Sequence, residues 1–267
     1  MAYNAPIVKV EDVIIKEHYV VSSRTDIGLL RQYNEDSLYV CGLDLNTTSH
    51  GLLVGVADGM GGHNGGDVAS QLAVKTLNSY YEKEASDCST ADLLERLIHV
   101  VEEANSAIYN VSSENEGLCG MGTTLTSVCM KNSEALIAHV GDSRAYLYRD
   151  NVLTQLTDDH SLVAQAVREG ILTPEQAAKH PQRNIITRAL GTKDTVEVDS
   201  LIIKVQKDDL LLLSSDGLHG FVDDPEISDI LSSQYDSLDD VTDDLIKGAL
   251  EKGGPDNVTV VLAKVAE

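Results

Sequence analysis

Between Glu134 and Thr157 the runs EALIAHVGD and RAYLYR and the following VLTQLT are joined by only one or two residues. Connections that short cannot hold a crossover helix, so neighbouring runs must pair antiparallel. Further strand-like runs occur at YVVSSRT, DSLYVCGL, GLLVGVAD, TLTSVCM, DSLIIKV, DLLLLSSD and NVTVVLAKV. Each is short, rich in Val, Ile or Leu, and most are bounded by Gly, Asp or Asn.

Helical patterns fall in two pairs. DVASQLAVKTLNSYYEK sets Val68, Leu72, Thr76 and Leu77 near one face, and TADLLERLIHVVEEANSAIYNVS carries a stripe from Leu94 through Leu97, Ile98, Val101 and Ala104. PEISDILSS and SLDDVTDDLIKGALEKGG form the second pair, the latter stopped by Gly253 and Gly254. The order is strands, two helices, strands, an insertion, strands, two helices, one strand. That is not a βαβ alternation and predicts an α+β layered fold with antiparallel sheets and helices outside. Residues 158–193 read as a small helical surface insertion, a flap, with Thr173 as N-cap, Pro174 at the first helical position and Gln176 completing a capping box. Residues 1–17 read as a loosely attached arm and 18–267 as one domain.

Composition narrows the function classes. The formal net charge is −23 and no basic patch stands out, which argues against a nucleic-acid partner. A face this acidic meets anionic substrates through bound cations or a local positive site. The core must be built from Leu, Val, Ile and Ala, because aromatic residues are only 4% and Trp is absent. Cys41, Cys88, Cys119 and Cys129 show no C-x-x-C spacing, so a zinc or redox site is not expected. The first residues lack a signal-peptide pattern, and no apolar run reaches membrane-spanning length. A cytoplasmic protein with no membrane partner is expected.

Three strand-like runs end in a carboxylate: LLVGVADG at Asp58, ALIAHVGD at Asp142 and LLLLSSDG at Asp216. Two more carboxylates, Asp36 and Asp256, stand just before strands. Taken singly, Asp beside Gly is ordinary turn chemistry. Five at strand ends suggest a shared site. Two carboxylates about 5 Å apart repel by roughly 3 kcal/mol at an effective dielectric near 20. Such a group must take up protons or hold cations, and hard oxygen donors favour Mg²⁺ or Mn²⁺. Asp58 would then end its strand in a metal cluster, with the glycines of GMGGHNGG turning the chain tightly beside it.

The pieces RQYNEDS, VADGMGGHNGG, GTTLTS, AHVGDSRAYL, DDHSL, HPQRNIITRALG, LLLSSDGL and GGPDNVTVV occur in one order across residues 23–265. The ordered set resembles the metal-dependent protein phosphatases of type 2C, the PPM family, in its bacterial form. The resemblance implies a four-layer αββα sandwich and a binuclear Mn²⁺ or Mg²⁺ centre. It implies Asp36, Asp58, Asp216 and Asp256 as direct ligands, Asp58 bridging, with Gly59 lending its carbonyl and Glu35 acting through water. It implies a third ion held by Asp142, with Asn184 from the flap. Arg31 matches the phosphate-binding arginine, and a guanidinium suits two phosphoryl oxygens. His63 follows Gly59 by four residues; some members place a histidine directly after the Asp-Gly pair, where Met60 stands here, as the acid for the leaving oxygen.

The implied reaction is direct attack by a metal-bridging water on phosphoserine or phosphothreonine. The implied partners are phosphorylated proteins, among them a Ser/Thr kinase and its substrates, met by a monomeric enzyme. Competing readings are a two-metal nuclease or phosphodiesterase, and a non-catalytic binding or regulatory module on the same fold. The second would have lost ligands, and here every carboxylate of the core set is present.

Overall fold

The computed structural model describes residues 13–15, 19–41, 51–61, 65–81 and 88–266. Twelve strands and seven α-helices are formed among them. In chain order these begin with β1 (Val13–Ile15), β2 (Tyr19–Asp26), β3 (Asp36–Cys41), β4 (Leu52–Met60), α1 (Gly66–Thr76) and α2 (Thr90–Glu114). β5 (Gly122–Thr123), β6 (Leu125–Lys131), β7 (Glu134–Val140), β8 (Arg144–Arg149) and β9 (Val152–Gln155) follow. Then come α3 (Leu162–Arg168), α4 (Pro174–Ala178), β10 (Asp199–Lys204) and β11 (Leu210–Ser214). The chain closes with α5 (Asp216–His219), α6 (Asp224–Ser232), α7 (Leu238–Glu251) and β12 (Val258–Val265).

The strands make two antiparallel sheets. One runs β1-β2-β12-β11-β8-β9; the other runs β10-β7-β6-β4-β3, with β5 also pairing β4. Side chains alternate across each strand, yet the strands are apolar on both faces because both faces are covered. In β4, Leu52, Val54 and Val56 point into the seam between the sheets, while Leu53 and Ala57 point toward α1 and α2. In β12, Val261, Ala263 and Val265 fill the seam, while Val258, Val260 and Leu262 meet α6 and α7. Three apolar layers thus separate four structural ones, the αββα sandwich expected from the sequence.

The helices sit where their apolar stripes dictate. α2 buries Leu93, Leu97, Val100, Val101, Ala104 and Ile108, and Ser89 opens it through a reciprocal cap with Asp92. On α1 the buried ridge is Ala69 and Ala73, continued by Leu77 and Tyr80. Val68 and Leu72 only flank that ridge, so the face read from the sequence is rotated by one position. The small alanines let α1 lie close on β4, a demand that hydrophobic periodicity does not reveal. Thr173, Pro174 and Gln176 form the expected capping box on α4. Gly253 and Gly254 adopt positive φ where α7 stops.

Within the expected arm, Val13–Ile15 pair with Val21–Tyr19 as an edge strand; the rest of 1–17 lies outside the described residues. Among the described residues no helix is long and apolar enough to cross a membrane. Leu97 is fully buried between α2 and the sheet. Leu97→Ala is expected to lower the unfolding free energy by about 3 kcal/mol, read from urea denaturation.

Candidate metal centre

Five strand ends meet at one end of the sandwich. The register of β3 against β4 sets Asp36 directly opposite Asp58. From the other sheet, β11 delivers Asp216 and β12 delivers Asp256. Ser215, at the N-cap of α5, donates its hydroxyl to Asp36 Oδ2 at 2.7 Å and so fastens one sheet to the other. β7 ends at Val140, and Gly141 and Asp142 follow it beside them.

Backbone bonds fix Asp58 in place. Its N–H donates to Thr124 Oγ1 at 2.9 Å, and its carbonyl accepts from Thr123 Oγ1 and Thr124 N. Gly59 N donates to the Glu35 carbonyl. β4 does not end at Asp58 as expected but runs on to Met60, where it pairs with β5. A side chain at 59 would collide with the Glu35 and Gly66 carbonyls, so this position of the strand admits only glycine. The Glu35 carboxylate lies against Gly66 at the start of α1.

The electrostatics show how crowded the carboxylates are. Burial, followed by repulsion from Asp36, Asp216, Asp142 and Asp256, pushes Asp58 well above the ordinary carboxylate range. Burial raises Asp36 to about 7, with Asp216 and Asp256 adding to it and Ser215 and Thr259 opposing. Burial and Asp256 raise Asp216 to about 6, and burial with Asp216 and Asp159 raises Asp142 to about 8. Among the described residues no three of the acidic, histidine or cysteine side chains form a closed ligand cage. The carboxylates are close enough to repel and are partly engaged elsewhere: Asp256 Oδ2 accepts from Arg31 Nη2 at 2.7 Å.

The residues fit divalent cations on their own chemistry. The donors are all hard oxygens, and crowded buried carboxylates are stabilised only by protons or cations. Asp142 Oδ1 is buried without a hydrogen-bond partner. A cavity of about 420 Å³ beside it is lined by Asp142, Asp216, Asn184 and Arg183, which brings the flap asparagine to the same cleft as the two carboxylates. Arg31 stands half-exposed at the mouth of a second cavity. His63 lies outside the described residues.

Three supports escape a reading of the sequence. Asn257 accepts from Glu35 N and donates to the carbonyls of Ile27 and Tyr33, tying the Arg31 loop to the Asp256 turn. Arg144 grips Asp159 through two bonds, at 2.8 and 2.7 Å. His219 Nε2 donates to the Asp142 carbonyl, and its Nδ1 accepts from Ser214. Their sequence signal is only adjacency to a carboxylate at a strand end.

A family profile described as protein phosphatase 2C matches residues 31–252. The chain belongs to the protein phosphatase 2C family. It is 43% identical over 242 residues to the serine/threonine phosphatase stp of Listeria welshimeri, covering 90% of this chain and 94% of that one. Against the protein phosphatase PhpP of Streptococcus pneumoniae it is 39% identical, covering 92% and 98%. The crystal structure of the Mycobacterium tuberculosis serine/threonine phosphatase PstP/Ppp superposes with a TM-score of 0.83 at 41% identity, covering 94% of this chain and 100% of that one. A PstP catalytic domain solved in complex with two manganese ions superposes at 0.81 and 39% identity, covering 94% and 99%.

The raised carboxylates make the charge crowding measurable through pH. Asp216, Asp36 and Asp142 titrate at about 6, 7 and 8 in the folded chain, against about 4 for an unperturbed aspartate. The folded state therefore keeps protons that the unfolded chain has lost. That stabilisation is complete below about pH 4 and is lost as pH rises through 6 to 8. Without divalent cations, Tm is expected to fall between about pH 5 and pH 8, and to fall less in Asp58→Asn. Manganese is expected to restore Tm at the upper end. A melting temperature flat across that range would contradict the charge crowding.

Proposed function

We propose that this chain is a protein serine/threonine phosphatase that hydrolyses phosphoserine and phosphothreonine with the help of two Mn²⁺ or Mg²⁺ ions. The observation that carries the reading is the convergence of Asp36, Asp58, Asp216 and Asp256 from two sheets beside Arg31. Family membership, and relatives that bear the phosphatase name, support it.

In this reading Asp58, Asp36, Asp216 and Asp256 hold the pair of ions, with the Gly59 carbonyl as a further donor and Glu35 acting at one remove. Asp142 and Asn184 serve a third ion, for which the unpartnered Asp142 Oδ1 is the support. Bound there, the cations supply Lewis acidity and lower the pKa of a water for attack on phosphorus. Arg31 binds two phosphoryl oxygens and orients the ester. Its reach for Asp256 sets the guanidinium at the edge of the cation site before any substrate arrives. Thr123 and Thr124 keep Asp58 from drifting, and Ser215 keeps Asp36 turned inward. His63 is kept as a candidate for the acid at the leaving oxygen, for positioning the substrate or for capping the next helix. The substrates are phosphorylated proteins, a Ser/Thr kinase and its targets among them, and the enzyme works as a cytoplasmic monomer. No observation favours the non-catalytic module.

Hydrolysis of p-nitrophenyl phosphate and of a phosphothreonine peptide tests the reading. Turnover is expected with Mn²⁺, lost on chelation, and lost in Asp58→Asn. Arg31→Ala is expected to lower kcat/KM by about 10²-fold, the cost of removing one preorganised charge contact. A folded protein inert with every divalent metal would overturn the proposal.

A further inference from the structure

The loop 27–33 is held more firmly than a surface loop requires. Gly28 sits at φ +76° with its N–H on Asp26 Oδ1, and Leu29 N donates to the Gly254 carbonyl at 2.7 Å. Asn257 holds Ile27 and Tyr33 by their carbonyls, at 2.9 and 3.0 Å, and Asn34 is bonded to Thr25. A side chain at 28 would strike the Asp256 carbonyl, so the loop is pressed against the Asp256 turn.

This fixed loop turns Arg31 inward and large apolar groups outward. Leu29, Leu30 and Tyr33 are 64, 72 and 70% exposed. Clustered exposed apolar groups on a rigid support mark an interaction surface. Leu30, Arg31 and Tyr33 share a cavity of about 430 Å³ with Glu35, Gly65 and Asp67 of the facing α1 turn. Glu35 and Asp67 both line this cavity, so two acids face it. Among the described residues, apart from Arg31, which is bonded to Asp256, the lining supplies no positive charge.

We propose that this groove seats the residues flanking the phosphorylated side chain, and that it takes a lysine or arginine with an aliphatic or aromatic neighbour. The inference rests on the reading of the chain as a protein phosphatase. Its physical basis is continuity and complementarity. A phosphoryl group gripped by Arg31 leaves the adjoining peptide over Leu30 and Tyr33. A cationic head meets Asp67 and Glu35, and its methylene stem lies on the apolar rim. Tyr33 offers a ring face to a guanidinium. A net charge of −23 draws basic segments toward the protein and disfavours acidic ones.

The test compares three phosphothreonine peptides that differ only in their flanks, Lys-Leu, Ala-Ala and Glu-Ser, each placed on either side of the phosphothreonine. Every rate is divided by the same protein's rate on p-nitrophenyl phosphate, so a general loss of activity cancels. The wild type is expected to prefer Lys-Leu over Glu-Ser by about fivefold or more on one side, in line with one exposed ion pair and one cation–π contact. Asp67→Lys is expected to abolish or invert that preference, and Leu30→Ser with Tyr33→Ser to reduce the advantage of Lys-Leu over Ala-Ala. Added salt should shrink the first effect and spare the second. A wild-type ratio near one on both sides, or a preference that all variants retain, would overturn the groove and leave the phosphatase reading intact. Turnover of p-nitrophenyl phosphate with no turnover of any phosphopeptide would overturn the protein-phosphatase reading and the groove with it.

Discussion

Everything at this end of the molecule depends on one unfavourable contact. Asp36 and Asp58 stand opposite each other across two neighbouring strands, where like charges destabilise a sheet. The chain tolerates the arrangement because three apolar layers hold the strands in place. The sandwich supplies the free energy, and its end holds carboxylates at spacings they would not choose in water. A cation that enters meets ligands whose mutual repulsion already favours it. Affinity therefore arises from strain relieved as well as from bonds formed.

Each sheet contributes two of the four core carboxylates to this end. One brings the opposed pair, the other brings Asp216 and Asp256, and Ser215 spans the gap to Asp36. Asn257 does the same for the loops, linking the Arg31 loop with the Asp256 turn. The positions of Arg31 and Asp256 are thus not independent. Arg31 is bonded to Asp256 directly, and its loop is tied to the Asp256 turn through Asn257. Disturbing that turn should be felt at the arginine and the aspartate together.

Much of this was legible in the amino-acid order. Short connections between apolar runs require antiparallel pairing, and the carboxylates stand out because they interrupt apolar strands at their ends. The motif order carried the family and, with it, the roles assigned to Asp36, Asp58, Asp216, Asp256 and Arg31. What stayed hidden has physical reasons. Which strand lies beside which, as β12 between β2 and β11, depends on contacts far apart in the chain, such as that of Val258 with Asp26. The ridge on α1 shifted because close approach selects alanine over larger side chains. Asn257 gave no sign of its reach, since an asparagine in a turn usually serves only its own backbone. The contribution of His63 lies with residues the structure does not describe.

The doubly apolar strands have a consequence for how the fold finds its alignment. In most half-buried strands a slip of one residue turns polar groups into the core, and the pattern forbids it. β4 has apolar residues on both faces from Leu52 to Ala57, so a slipped pairing would cost it little in burial. What marks the correct alignment is its end. Asp58 must meet Thr124, and Gly59 must pass between the Glu35 and Gly66 carbonyls, where no side chain fits. Asp58 and Gly59, which belong to the candidate metal centre, therefore also act as the index marks by which the sheet is assembled.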